Sequence, residues 1–157
     1  MTEAEKKNII SKIFKDHNLS PGEEKLNQIV MIAQEINFPA GTTIQDIGME
    51  QKYLYLIIKG AARSYYIDVN GNDVTKRFLI EDEFAVGESL FLTESLEVFE
   101  ALENLKCLRF EAERFKDIIL SDNTLSMIYI KMLEQTVIYK MHREYSFQNM
   151  PAKERYL

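Results

Sequence analysis

Cys107 is the only cysteine in the sequence. That excludes an internal disulfide and any multi-cysteine zinc or iron–sulfur centre built from this chain alone. A reducing, cytoplasmic setting is the expectation. Histidine is also scarce. His17 and His142 are the only two, and both lie outside the stretch that reads as β-structure. A β-barrel metal centre held by several histidines is therefore not expected, no Ser-His-Asp or Cys-His arrangement is readable, and the chain does not read as an enzyme. Basic charge is in deficit: 19 Lys and Arg stand against 25 Asp and Glu, for a net charge of −6. Gripping nucleic acid requires a basic face, so these residues alone are not expected to bind DNA. Long apolar runs are missing too. Nothing approaches the ~20 residues of a membrane span, and the opening MTEAEKKNII lacks the apolar core of a signal peptide. No membrane partner is expected.

What is present is ordinary for a soluble domain: 46% apolar and 28% charged residues over a length of 157. A chain of that size buries enough surface for a core without covalent staples. Thr2 and Glu5 have the spacing of a capping box, and Ile9, Ile10, Ile13 and Phe14 follow at helical spacing. Ser20-Pro21-Gly22-Glu23 has the same grammar, with Ser20 as cap and Pro21 at the first helical position, before an apolar face of Leu26, Ile29, Val30 and Ala33. Near residue 34 the grammar changes to short β-branched and aromatic runs, which predict strands at about 34–38, 43–46, 53–59, 61–68, 73–80, 84–86, 97–103 and 105–110. The run Tyr53 to Lys59 is nearly continuous in apolar residues, so both faces should be partly covered. Gly60 and Asn70-Gly71 mark tight hairpins. Eight short strands at this spacing predict a sandwich, jelly roll or barrel.

Helical period returns after Phe110: a short helix at about 112–120, then a long one at about 123–147 containing no Gly or Pro. The long helix is apolar over more than one stripe, so it needs two partners. One should be its own barrel. The other should be a second copy, packed as a parallel coiled-coil-like pair through Leu125, Ile128, Met132, Gln135 and Tyr139.

Three segments resemble cyclic-nucleotide-binding domains. Phe38-Pro39-Ala40-Gly41-Thr42-Thr43-Ile44 is similar to their opening strand, and Tyr53 to Gly60 to their glycine-turned hairpin. Phe84-Ala85-Val86-Gly87-Glu88-Ser89-Leu90-Phe91 is similar to the start of their phosphate-binding cassette. With the long helix following, the order resembles the catabolite activator (CRP–FNR) family of bacterial regulators, and Pro151 to Leu157 resembles the first helix of that family's winged helix-turn-helix domain. The resemblance implies a mainly β fold with added α: a double-stranded β-helix (jelly-roll) barrel with N-terminal helices and a long C-terminal dimerisation helix. It implies an effector domain over 1–120, a dimerisation helix over 121–148 and the start of a DNA-binding domain at 149–157, which would continue beyond Leu157. DNA would be contacted only through that further domain, and the partner here is a homodimer mate.

The same resemblance implies a ligand pocket containing Gly87, Glu88, Ser89, Leu90, Glu97, Val98 and Arg77. Members that bind a cyclic nucleotide use a cassette arginine to neutralise the phosphate and a glutamate for the ribose hydroxyl. Gly87 and Glu88 match. The arginine does not, since the aligned stretch is Ser95-Leu96-Glu97-Val98 and no arginine lies between Arg77 and Arg109. Losing one charge-assisted bond costs roughly 1.5–3 kcal/mol, so cAMP and cGMP are expected to bind weakly or not at all. Two readings of Gly87-Glu88 stand together: a turn with a backbone cap, or a surviving ligand contact. Arg63, Arg77, Lys59 and Lys76 could replace the missing charge, or be solvated exterior. Tyr65, Tyr66, Phe78 and Phe84 could line an apolar effector pocket, or belong to the strands alone. No cofactor is expected. The alternatives are a ligand-free scaffold of the same fold and the regulatory domain of another protein class.

Overall fold

In the computed structural model of the chain, the capping box forms as its spacing predicts. The Glu5 backbone N–H donates to Thr2 Oγ1 and the Thr2 N–H to Glu5 Oε2, both at 3.1 Å. It opens α1, Glu3–Asp16. The structure describes residues 1–16, 18, 20–85, 90–91 and 93–149, without the side chains of 147–149. The second capping box does not form. Helix α2 runs Glu23–Ile32 with Gly22 at its N-cap in extended conformation and no side-chain cap. Glycine has no oxygen to offer, and Ser20 lies two residues too early to reach the first free N–H groups. The apolar face is as expected, with Leu26, Ile29, Val30 and Ala33 all buried.

Among the described residues eight strands follow: β1 Gln34–Phe38, β2 Thr43–Gln45, β3 Tyr53–Lys59, β4 Ala62–Ile67, β5 Asp73–Leu79, β6 Phe84–Ala85, β7 Val98–Ala101 and β8 Leu105–Glu111. Two helices end the description, α3 Ala112–Leu120 and α4 Asn123–Asn149. The strands make two four-stranded antiparallel sheets, ordered β1-β8-β3-β6 and β2-β7-β4-β5, a jelly-roll arrangement with helices at both chain ends.

Strand β3 explains the layering. Leu54 and Leu56 project to one side and pack with Leu108, Phe110 and the four helices. Tyr55 and Ile57 project to the other and pack with Phe99, Ala101 and Cys107 between the sheets. A strand buried on both faces has no polar alternation, which is why the run from Tyr53 reads as continuous. Cys107 sits fully buried in this inter-sheet core, and burial pushes its thiol up to about 12. Cys107 is a small hydrophobe of the core.

Two turns fix the strand order. Gly60 has φ +102°, and a Cβ there would lie 2.6 Å from the Asn104 carbonyl oxygen. Gly71, at φ +80°, closes the β4–β5 turn, where Asp68 Oδ1 accepts the N–H groups of Asn70 and Asn72 at 2.9 Å. Asp122 starts α4 by accepting the Leu125 N–H at 3.0 Å. Among the described residues no helix is long and apolar enough to cross a membrane.

Candidate ligand-binding site

A cleft of about 430 Å³ opens between β5 and α4. Its β side is Lys76 and Arg77 of β5 with Asp82, Glu83 and Phe84 of the turn into β6. Its helical side is the stretch of α4 from Tyr129 to Arg143, with Ile13 of α1 closing one end. Arg77 donates from its guanidinium to the Phe84 carbonyl at 3.2 Å, which holds it along the wall. Lys76 pairs with Glu97 at 2.9 Å. Asp82 pairs with Lys12 of α1 at 2.8 Å, and that contact raises the Lys12 pKa. Glu83 Oε2 accepts the Ile80 N–H at 2.9 Å, so it serves its own turn.

Behind the cleft lies a smaller, almost wholly apolar cavity of about 60 Å³. Phe84, Phe110 and Phe115 pack edge-to-face or tilted around it, with ring centroids 5.2–6.2 Å apart. Ile13, Phe84, Tyr129 and Met132 line both spaces, so the two share a wall. Tyr129 does one thing more. Its hydroxyl accepts the Leu90 N–H at 3.1 Å, tying α4 to the end of the loop that follows β6.

The cyclic nucleotide-binding domain family matches residues 35–122, more than half of the chain. The chain belongs to that family. No curated protein sequence matches it. Solved structures resemble this cyclic nucleotide-binding domain in fold. The sensor domain of the transcriptional regulator DNR from Pseudomonas aeruginosa has TM-score 0.74 at 15% identity, over 89% of this chain and 93% of that one. The Thermus thermophilus catabolite activator protein has TM-score 0.70 at 20% identity, over 86% and 63%. The regulatory domain of Toxoplasma gondii PKA with cAMP has TM-score 0.63 at 18% identity, over 71% and 44%. The chain thus spans less than two thirds of the last two.

In this cyclic nucleotide-binding domain, the residues singled out from sequence separate. Gly87, Glu88 and Ser89 lie outside the described residues. Leu90 is buried and packs with the helices, and Val98 is buried in β7 opposite Tyr65 of β4, so neither presents a polar group to a ligand. Arg77 lines the cleft. Glu97 faces Lys76, which neutralises it. Arg63 is occupied elsewhere: it meets Asp73 through two nitrogens at 2.8 and 3.0 Å and stacks over Tyr65. Lys59 is exposed at the end of β3. Of the four aromatics, Phe84 lines the cavity, while Tyr66 and Phe78 are exposed.

The dimer stripe named from sequence needs correction. Leu125 is 0% and Ile128 3% exposed within one protomer, so both face their own core and are unavailable to a second copy. Met132 packs against the same core, and Gln135 and Tyr139 border the cleft. Tyr139 is 65% exposed beside the cleft, and the other exposed apolar residues of α4 are Met127, Ile130, Val137, Ile138, Met141 and Tyr145. At 100° per residue those six lie on the side opposite Leu125. The helix has two apolar stripes, and of the residues named from sequence Leu125 and Ile128 belong to the inner one, while Gln135 and Tyr139 are exposed.

Sequence reasoning missed Lys140 and Arg143. The signal was there: the stripe Leu125, Ile128, Met132 continues on the same face to Thr136, Lys140 and Arg143, where it changes from apolar to basic.

Proposed function

We propose that this domain is the effector-sensing and dimerising module of a transcription regulator rather than an enzyme. DNA would be contacted through another domain, not through this acidic one. The observation that carries the reading is the two-sided α4. Its inner stripe closes the cleft and its outer stripe is exposed and apolar, so occupancy of one side can bias the packing of the other. The fold shared with the DNR sensor domain and the catabolite activator protein supports it.

Two measurements test it. Sedimentation equilibrium should give a dimer at micromolar concentration, and a monomer would refute the dimerising role. Isothermal titration should show cAMP and cGMP binding weakly or not at all, because Arg77 and Glu97–Lys76 do not reproduce a cassette arginine. Micromolar or tighter cAMP binding would refute that part.

One observation favours a second reading. Among the described residues, Tyr55, Ile57 and Phe99 pack together in the core between the sheets. A constitutive dimerisation scaffold of the same fold fits that packing, and it predicts that no small molecule changes the thermal midpoint.

A further inference from the structure

We infer that the cleft between β5 and α4 takes an amphipathic organic anion, a carboxylate or phosphate monoester carried on an apolar body. The inference rests on the effector-sensing reading of the same cleft.

The inward stripe of α4 is the first observation. Leu125 and Ile128 are buried in the core, and Met132 packs against it. One turn on comes Thr136, and then Lys140 and Arg143, all three lining the cleft. A helix face turned toward its own domain is normally apolar along its length. Here it ends in two cations. Among the described residues neither Lys140 nor Arg143 has a hydrogen-bond or ion-pair partner.

Charge in the facing wall is the second. Asp82 pairs with Lys12, Glu83 accepts the Ile80 N–H and keeps its charge, and the cleft's lining sets four cations, Lys76, Arg77, Lys140 and Arg143, against these two carboxylates. Arg77 adds a further guanidinium from β5, held in place by the Phe84 carbonyl. The cleft therefore carries an excess of positive charge at the Lys140–Arg143 end. Arginine and lysine at the edge of a partly dry cleft suit one carboxylate or phosphate group.

The floor is the third. Phe84, Tyr129 and Met132 line the cleft and the apolar cavity behind it alike. The cleft's size and its mixture of apolar lining with a few convergent polar groups are those of a small-molecule site. An anionic head among Lys140, Arg143 and Arg77 would leave the body lying on Phe84 and Met132, with the aromatic cavity as room for its end. The head recruits β5 and the helix together, so the bound anion would draw the far half of α4 toward the sheet.

Isothermal titration of the full chain with octanoate, octyl phosphate and octanol tests this, alongside the Lys140→Ala/Arg143→Ala double variant. Both substituted side chains are exposed, so the variant keeps the fold, which circular dichroism verifies. Both anions should bind the parent chain at least tenfold tighter than octanol, a difference of about 1.4 kcal/mol. The double variant should lose at least tenfold for the anions and nothing for octanol. Equal binding of octanoate and octanol, unchanged anion binding by the variant, or no heat from either anion at millimolar concentration would each overturn the inference. Tight cAMP binding without octanoate or octyl phosphate binding overturns it too, while leaving the sensor reading standing. A monomer in sedimentation refutes the dimerising role and leaves the ligand result untouched.

Discussion

Leu125→Ala and the pair Ile130→Glu/Val137→Glu should separate the two faces of α4. Leu125 is fully buried against the aromatic cavity. Truncation removes three carbons, about 2.4 kcal/mol at roughly 0.8 kcal/mol per buried methylene. The void that remains adds to this, because the cavity's rings cannot close on it completely, so the total should be about 3–4 kcal/mol. For a domain of this length one kcal/mol moves the midpoint by about 2–4 °C, which predicts a fall of roughly 6–16 °C. The oligomeric state should not change. Ile130 and Val137 are each 55% exposed and sit seven residues apart on the outer face. Burying the exposed half of each in a dimer is worth about 1 kcal/mol per side chain, and two protomers contribute four such side chains. Losing them weakens the dimer by about 4 kcal/mol, or roughly a thousandfold, before the cost of burying glutamates. Differential scanning calorimetry at fixed protein concentration and sedimentation equilibrium read the two effects, the concentration being fixed because dimerisation itself shifts the midpoint. A Leu125→Ala protein that dissociates with an unshifted midpoint, or an Ile130→Glu/Val137→Glu protein that stays dimeric, would refute the assignment of the faces.

Gly60→Ala should destabilise by about 2 kcal/mol or more, from the positive φ and from the 2.6 Å approach to the Asn104 oxygen, read as a lower urea midpoint; an unchanged midpoint would contradict the hairpin geometry. Cys107 should resist a thiol-specific disulfide reagent at pH 8 until the protein unfolds, since burial holds its thiol up at about 12. The raised pKa also gives a sign to the pH dependence: the unfolded thiol ionises first, so stability from this group is complete below about pH 8.5 and is lost progressively as pH rises from there toward 12. A Cys107→Ala variant should lose that part of the alkaline decline, and an identical decline would assign it elsewhere. Tyr129→Phe should leave the Leu90 N–H without its acceptor, cost about 1 kcal/mol and lower the midpoint by about 2–4 °C, and hydrogen exchange at Leu90 should quicken; unchanged exchange would show that the bond does not hold the loop.

Strand positions were legible because their signals are local. Val98-Phe99-Glu100-Ala101 and Leu105 to Phe110 alternate or run apolar between turn residues, and β7 and β8 fall there. Gly60 and Asn70-Gly71 mark turns by conformations that only a few residues tolerate. The second helix start failed for an equally local reason: Ser20 has the right chemistry, but the chain enters the helix two residues later, at Gly22, and where a helix begins depends on how the preceding loop packs. The cleft was half legible. Arg77 could be named from its strand. Lys140 and Arg143 became meaningful only once the structure showed which side of α4 faces the barrel.

That last point is where sequence periodicity stops. Both stripes of α4 are apolar, one through Leu125, Ile128 and Met132 and the other through Ile130, Val137 and Met141, and a period of 3.6 residues fits either equally well. The choice between them is made by long-range packing: Leu125 and Ile128 meet Phe110 and Phe115, residues brought there by β8 and α3. Once that contact fixes the inner stripe, the rest follows without freedom. The outer stripe is left exposed, and the inner stripe, carried on beyond Met132, delivers Lys140 and Arg143 to the mouth of the cleft. On the proposed reading, the rotation that buries Leu125 would therefore also set where a ligand is held and where a second copy packs, so both events would act on one helix, which is the physical condition for one to report on the other.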